Sequence, residues 1–155
     1  MEHEPNNNAN SSETSNSAET SNSARPHGLS GGLRLAAAAA QVALDNRGSD
    51  VLVLDVSSQT ALFDYFMLAT GTSRRQLHAI ADEIDDRLQK DLGDKRLGIE
   101  GFEESRWIVL DYGSVVIHLF DEEMRGYYDL ESLWADAKRL DHQELGLIDH
   151  ARRSE

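Results

Sequence analysis

The sequence predicts an α/β fold, a mixed β-sheet flanked by helices. Three observations point there. Val51-Leu-Val-Leu-Asp-Val56 and Tyr65-Phe-Met-Leu-Ala-Thr70 are short, largely apolar runs of the kind that form buried strands. Between them and the next apolar runs, Leu77, Ile80, Ile84 and Leu88 recur at i, i+3, i+7 and i+11, the stripe of a helix with one buried face. Finally, Trp107-Ile-Val-Leu-Asp111 and Val115-Val-Ile-His-Leu-Phe120 flank Tyr112-Gly113-Ser114, the clearest hairpin signal in the chain. Helices interleaved with strands on one chain pack as layers on a single sheet.

The elements follow in order. Ser30 is placed to cap a helix running to about Asn46, with Gly48 as its stop signal. The Ala36–Ala40 run favours helix, and Leu35 and Val42 lie on one face. The two strands at 51–56 and 65–70 come next. Gly71-Thr72-Ser73 closes the second and opens the helix of the Leu77–Leu88 stripe, with Asp82, Glu83, Asp85 and Asp86 off that stripe. Leu97-Gly-Ile-Glu-Gly-Phe102 is a weaker strand because of its glycines. After the hairpin, a last helix starts near Tyr128-Asp129 and carries Leu130, Leu133, Trp134 and Ala137. The predicted order is α-β-β-α-β-β-β-α over 31–141, with 142–155 as a C-terminal tail or short helix.

Residues 1–30 stand apart. The hexamer Glu-Thr-Ser-Asn-Ser-Ala occurs at 13–18 and again at 19–24. Ser, Asn, Thr and Glu bury too little apolar area to offset chain entropy, so a disordered tail is expected. It has neither the apolar core of a signal peptide nor the basic character of a transit peptide. With no apolar run long enough to span a bilayer and no cysteine, the expected location is cytoplasmic.

Charge narrows the partners. The formal net charge is -13; residues 1–32 carry four acids and one base, and residues 33–155 carry 24 acids and 14 bases, a net of -10. A domain that acidic is repelled by phosphate backbones, so a dominant direct nucleic-acid contact is not expected. A basic protein partner fits better, although acid also serves solubility.

Strand alternation sorts the hairpin into two faces. With a two-residue turn, Ile108, Leu110, Val115, Ile117 and Leu119 share a wholly aliphatic face that should lie on the helices. The other face carries Trp107, Val109, Asp111, Val116, His118 and Phe120. A three-residue turn would break this grouping. Large aromatics with an acid and an imidazole suit a protein-binding surface. They suit equally a second core face holding a hydrogen-bonded histidine.

Catalytic and metal chemistry find little footing. Asp82, Asp85 and Asp86 read as a solvated helix face. His78 and Asp82, at i and i+4, could form one edge of a metal site, but no motif supplies a third ligand. The Gly71–Ser73 turn could receive an anion at a helix start, though capping by Ser73 explains the same residues. No nucleophile elbow, phosphate loop or paired strand carboxylates are present, and Asp55, Asp64, Glu100 and Asp111 stand singly. Neither a metal nor a cofactor is expected, nor is enzymatic activity.

Three segments, taken in order, carry a specific resemblance. Asp64-Tyr65-Phe66 leads into Thr70-Gly71-Thr72-Ser73 with Arg75 beyond. Gly98-Ile-Glu100-Gly101 precedes the run Trp107 to Phe120. Arg125-Gly-Tyr-Tyr128-Asp-Leu130-Glu131-Ser-Leu133-Trp134 follows. From about Leu33 to Arg139 the chain resembles the ribosomal silencing factor (Iojap-related) family. The resemblance implies a nucleotidyltransferase-like fold without the catalytic carboxylates, and a homodimer when free. It further implies docking on a basic large-subunit ribosomal protein, number fourteen, at the subunit-joining face, so that the small subunit is kept off and translation falls. A role in large-subunit assembly would need the same contact, a generic dimerisation module is a third reading, and a nucleotidyltransferase enzyme, the rival the fold relationship supplies, is the least expected. For the partner-binding residues, Trp107 and Phe120 are expected as apolar anchors. Asp111 is expected to pair a partner cation, with Glu100 a second acid. His118 shares their face, and Tyr112 is placed to reach past the strand end. Arg75, Arg125, Tyr128 and Glu131 match the family as supporting residues, Tyr128 and Glu131 with the alternative use of fixing the last helix to the sheet.

Overall fold

The computed structural model describes residues 31–150. The low-complexity tail at 1–30 lies outside the described residues, as do 151–155. Ten elements run in order: α1 (Gly31–Asp45), β1 (Ser49–Asp55), β2 (Tyr65–Gly71), α2 (Arg74–Leu92), β3 (Gly98–Glu100), β4 (Trp107–Asp111), β5 (Val115–Asp121), α3 (Glu122–Tyr128), α4 (Leu130–Leu133) and β6 (Lys138–Leu140). The strands form one sheet ordered β3-β4-β5-β2-β1-β6. All neighbours are antiparallel except β2 and β5, so the sheet is mixed as expected.

Helices α1 and α2 cover one face of the sheet. The α2 stripe of Leu77, Ile80, Ile84 and Leu88 is buried to 1 % exposure or less. Each such side chain contributes roughly 1.5–3 kcal/mol by leaving water. Ser73 caps α2 by accepting from the Gln76 N–H at 3.1 Å, and Gly93 ends it at φ +69 in the left-handed region. On α1, Ala36, Ala39, Ala40 and Ala43 are completely buried. Their small side chains bring the helix backbone close to β1 and β2. The aliphatic hairpin face of Ile108, Leu110, Val115, Ile117 and Leu119 completes this core, every one at 0 % exposure.

The hairpin turn has two residues. Tyr112 N–H donates to Val115 O at 2.9 Å, and Gly113 takes φ +85, a conformation glycine adopts without steric cost. The pairs Trp107–Phe120, Ile108–Leu119, Val109–His118, Leu110–Ile117 and Asp111–Val116 therefore stand opposite each other. The two faces sorted from alternation are the two faces found.

The chain after β5 departs from expectation. A single helix was expected from Tyr128. Instead α3 begins at Glu122, α4 is one turn long, and β6 follows on the far edge beside β1. Asp121 caps α3, its Oδ1 accepting from the Met124 N–H at 2.7 Å. Asp129 then enters the left-handed region at φ 44 and breaks the helix before α4. Residues 142–149 form turns and extended chain rather than a helix. They are docked rather than loose: Leu145 is buried, the His142 ring bonds to Val51 O at 2.7 Å, and Ile148 N–H donates to Gln41 Oε1 at 2.9 Å. Among the described residues, no helix is long and apolar enough to cross a membrane.

Candidate partner-binding groove

The second face of the sheet is half covered. Helices α3 and α4 lie over the end where β5 finishes. Leu54, Phe66, Leu68, Val116 and Phe120 form a smaller core there with Trp107, Met124, Leu130 and Trp134 against it. An ion pair ties this cover down. Arg125 Nε donates to Glu131 Oε1 at 2.5 Å, and Arg125 Nη1 donates to Thr70 Oγ1 on β2 at 3.0 Å. Both partners are largely buried, with side chains 11 % and 20 % exposed.

Beyond the cover lies a groove of about 350 Å³. Strand register dictates its lining. One row across the sheet places Glu100 beside Val109, Val109 beside His118 and His118 beside Leu68. The next row places Asp111 beside Val116 and Val116 beside Phe66. Phe63, Gly98 and Ile99 complete the walls. The floor is apolar and the rim toward edge strand β3 is acidic.

His118 is the polar exception in the floor, 8 % exposed. The Trp107 indole Nε1–H donates to His118 Nδ1 at 3.2 Å. An indole only donates, so Nδ1 accepts and the proton of the neutral ring sits on Nε2. Among the described residues, Nε2 is the one buried side-chain nitrogen or oxygen without a hydrogen-bond partner. The ring packs edge-on to Phe66 at 5.0 Å and near-parallel to Phe120 at 6.1 Å. Burial first, and the nearby Arg125 cation second, push its pKa from the ordinary 6.5 down to about 4. It is neutral at physiological pH.

The groove thus brings together Glu100, Asp111 and His118. Glu100 is exposed, and Asp111 is half-buried with Oδ1 accepting from the Gly113 N–H at 2.8 Å. Trp107 lies just beyond the groove, half-buried, its ring 5.0 Å from Phe120 and 4.5 Å from Tyr128. Two assignments need correction. Phe120 is 0 % exposed beneath α3 and cannot act as a surface anchor. Tyr112 turns to the opposite face, where it is 5 % exposed and its hydroxyl donates to Asp85 Oδ1 at 2.9 Å. Arg75 is exposed on the first turn of α2, in the helical layer on that opposite side. Arg125 and Glu131 clamp the cover, and Tyr128 rests on Trp107. Phe63 and Phe66 escaped sequence reasoning because strand alternation on the hairpin is silent about β2. Their signal was the Phe63-Asp64-Tyr65-Phe66 run itself.

The clefts elsewhere offer less. His78 Nε2 lies 2.6 Å from the Phe102 carbonyl, and the ring stacks on Phe102 at 4.1 Å. A nitrogen at that distance from a carbonyl is a donor, so it cannot serve as a base toward the adjacent Ser105 hydroxyl, which itself donates to Phe102 O. Among the described residues, no group of three or more His, Cys, Asp or Glu is placed to hold a metal ion.

Comparison with known proteins shows the family. The family model described as "RsfS: Ribosomal silencing factor during starvation" matches residues 32–155. This chain belongs to the ribosomal silencing factor family. The Bacillus subtilis ribosomal silencing factor is 42 % identical over 109 residues, covering 70 % of this chain and 89 % of the relative. A mouse relative named "Mitochondrial assembly of ribosomal large subunit protein 1" is 39 % identical over 88 residues, 55 % of this chain and 38 % of that protein. A crystal structure of a Chromobacterium violaceum protein superposes with a TM-score of 0.62 at 38 % identity, covering 65 % of this chain and 83 % of that one. The family names a regulatory factor rather than an enzyme. In this silencing-factor chain, the segments 64–66, 98–101 and 107–120, far apart in sequence, all meet around the groove.

Proposed function

We propose that this chain binds the large ribosomal subunit through a basic ribosomal protein at the subunit-joining face. It thereby keeps the small subunit off and represses translation. The observation that carries this reading is the groove: an apolar floor with an acidic rim of Glu100 and Asp111, on a domain of net charge -10. An apolar centre with a charged rim is how specific protein interfaces are built, and the acid selects a basic partner over nucleic acid. The contact runs through Trp107, Asp111, His118 and Glu100, with Tyr128, Arg125 and Glu131 holding Trp107 and the cover in place. Phe63 and Phe66 join this set.

The free chain is a homodimer on this reading. Tyr127, Tyr128 and Leu133 on α3 and α4 are 78 %, 47 % and 73 % exposed and provide an apolar surface for it. The protein works in the cytoplasm, without cofactor or metal. A second reading, a role in large-subunit assembly, draws on the mouse relative's name and uses the same contact.

The test is sedimentation of purified ribosomal subunits through a sucrose gradient with the protein added. Co-migration with the large subunit is expected. Migration with the small subunit alone would refute the proposal.

A further inference from the structure

We propose that the groove is a socket for one lysine or arginine of a partner protein. That residue's backbone carbonyl accepts the His118 Nε2–H, and its cationic head lies between Asp111 and Glu100. This rests on the reading that the groove binds a protein partner, and it specifies the chemistry that enters.

Three features lead to it. The first is the lone donor. His118 is 92 % buried, since it is 8 % exposed, and it lines the groove. Nδ1 is taken by Trp107, and the two ring nitrogens point in widely different directions, so Nε2–H faces away from the indole. A buried donor left unpaired costs about 1–3 kcal/mol, which an acceptor entering the groove would recover. The second is charge. A carboxylate acceptor would be repelled by Glu100 and Asp111, so the acceptor is a neutral carbonyl. The two acids then call for a cation on the same ligand.

The third is spacing. Asp111 stands opposite Val116, two residues from His118 on the same face of β5. Such diagonal neighbours lie roughly 7–8 Å apart. An extended lysine or arginine covers a similar span from its carbonyl to its head group. Val109 stands beside His118 and Val116 beside Asp111, and with Phe63 and Phe66 they line the groove; they would pack along the aliphatic stem, as such stems pack on apolar surface.

The test uses the full chain labelled with ¹⁵N-histidine and probes that need no ribosome. N-acetyl-lysine-N-methylamide carries the ammonium, the stem and the amide carbonyls; N-acetyl-norleucine-N-methylamide lacks the charge. The lysine probe should shift the His118 Nε2 resonance and the Val109 and Val116 methyl signals saturably. The norleucine probe should bind about tenfold more weakly, the weight of one partly exposed charge contact. The double variant Glu100→Gln/Asp111→Asn should lower lysine binding to the norleucine level. His118→Phe, which keeps the ring and removes the N–H, should weaken both probes in the methyl readout. Equal binding of the two probes, shifts confined to another surface, or no saturable shift (a bridging water alone on Nε2) would each overturn the socket. Large-subunit affinity of the double variant separates this from the proposed function. Lost ribosome affinity without probe binding leaves the ribosomal reading and removes the socket. Probe binding with unchanged ribosome affinity keeps the socket and removes the groove from the ribosomal contact.

Discussion

The Trp107 indole N–H donates to His118 Nδ1 across the β4–β5 pair, although the two residues are offset rather than opposite in register. One hydrogen bond therefore decides where the imidazole proton resides. It leaves a protonated, unpartnered and buried nitrogen on a residue that lines the groove together with two carboxylates.

That arrangement predicts acid sensitivity. His118 has a pKa of about 4 when folded against 6.5 unfolded, chiefly through burial. Because the folded value is depressed, the unfolded chain takes up a proton first as pH falls. Stability should be unaffected by this residue above about pH 7 and should fall between pH 6.5 and 4, by at most about 3 kcal/mol. Urea unfolding at pH 7 and pH 4.5, for wild type and His118→Phe, checks this. Identical pH dependence in both proteins would show that His118 is not the titrating group.

The Arg125–Glu131 pair should control the cover more than the core. Arg125→Ala removes both the ion pair and the bond to Thr70, leaving Glu131 partly buried without its cation. Breaking a fully buried pair costs about 3–5 kcal/mol, and partial exposure puts this one toward the lower end. Hydrogen exchange should quicken across α3 and α4 while β2 and β5 keep their protection. Uniform loss of protection over the sheet would mean the cover is integral to the main core.

Gly101 is irreplaceable for a steric reason. It sits at φ +75, and a Cβ there would lie 2.0 Å from the Trp107 carbonyl oxygen. Gly101→Ala should destabilise by at least about 2 kcal/mol through backbone strain and displacement of Trp107. Thermal unfolding measures it, and a melting temperature within a degree of wild type would contradict the packing described.

Binding and stability should separate at Asp111 but not at Trp107. Trp107 stacks on Phe120 and Tyr128, so Trp107→Ala should cost stability as well as affinity. Asp111→Asn keeps the oxygen that accepts from Gly113 and removes only the charge. It should leave melting nearly unchanged and weaken large-subunit binding several-fold, in line with an interfacial charge contact of about 1 kcal/mol. Normal affinity of Asp111→Asn would move the ribosomal contact off the groove.

Much of this architecture was readable from local pattern. The α2 stripe, the β1 and β2 runs and the hairpin faces follow from side-chain periodicity, which chain geometry enforces. What escaped was decided by non-local partners. Strand β6 has three residues, Lys138–Leu140, and exists because β1 presents a free edge to it. Helix α3 did carry a local signal, Asp121 as cap followed by Glu122 and Glu123 in the first turn. The aromatic run at 127–128 drew the boundary too late. Among site residues, strand alternation groups Asp111 and His118, whereas Glu100 enters only through the resemblance and is brought to them by the β3–β4 register. Phe120 looked equally available because alternation assigns a face without telling what covers it. Tyr112, the residue before a tight turn, still follows strand alternation, which aims it at the helices rather than at a partner.

The central claim, that the groove holds the large subunit and so keeps the small one away, is tested most directly by subunit joining. Purified large and small subunits are mixed, and joining is followed by light scattering with wild type, with Glu100→Gln/Asp111→Asn, or with no added protein. Wild type should suppress joining in a dose-dependent way, and the double variant should need several-fold more protein for the same effect. Full joining at saturating wild-type protein, or equal suppression by wild type and a folded double variant, would contradict the account.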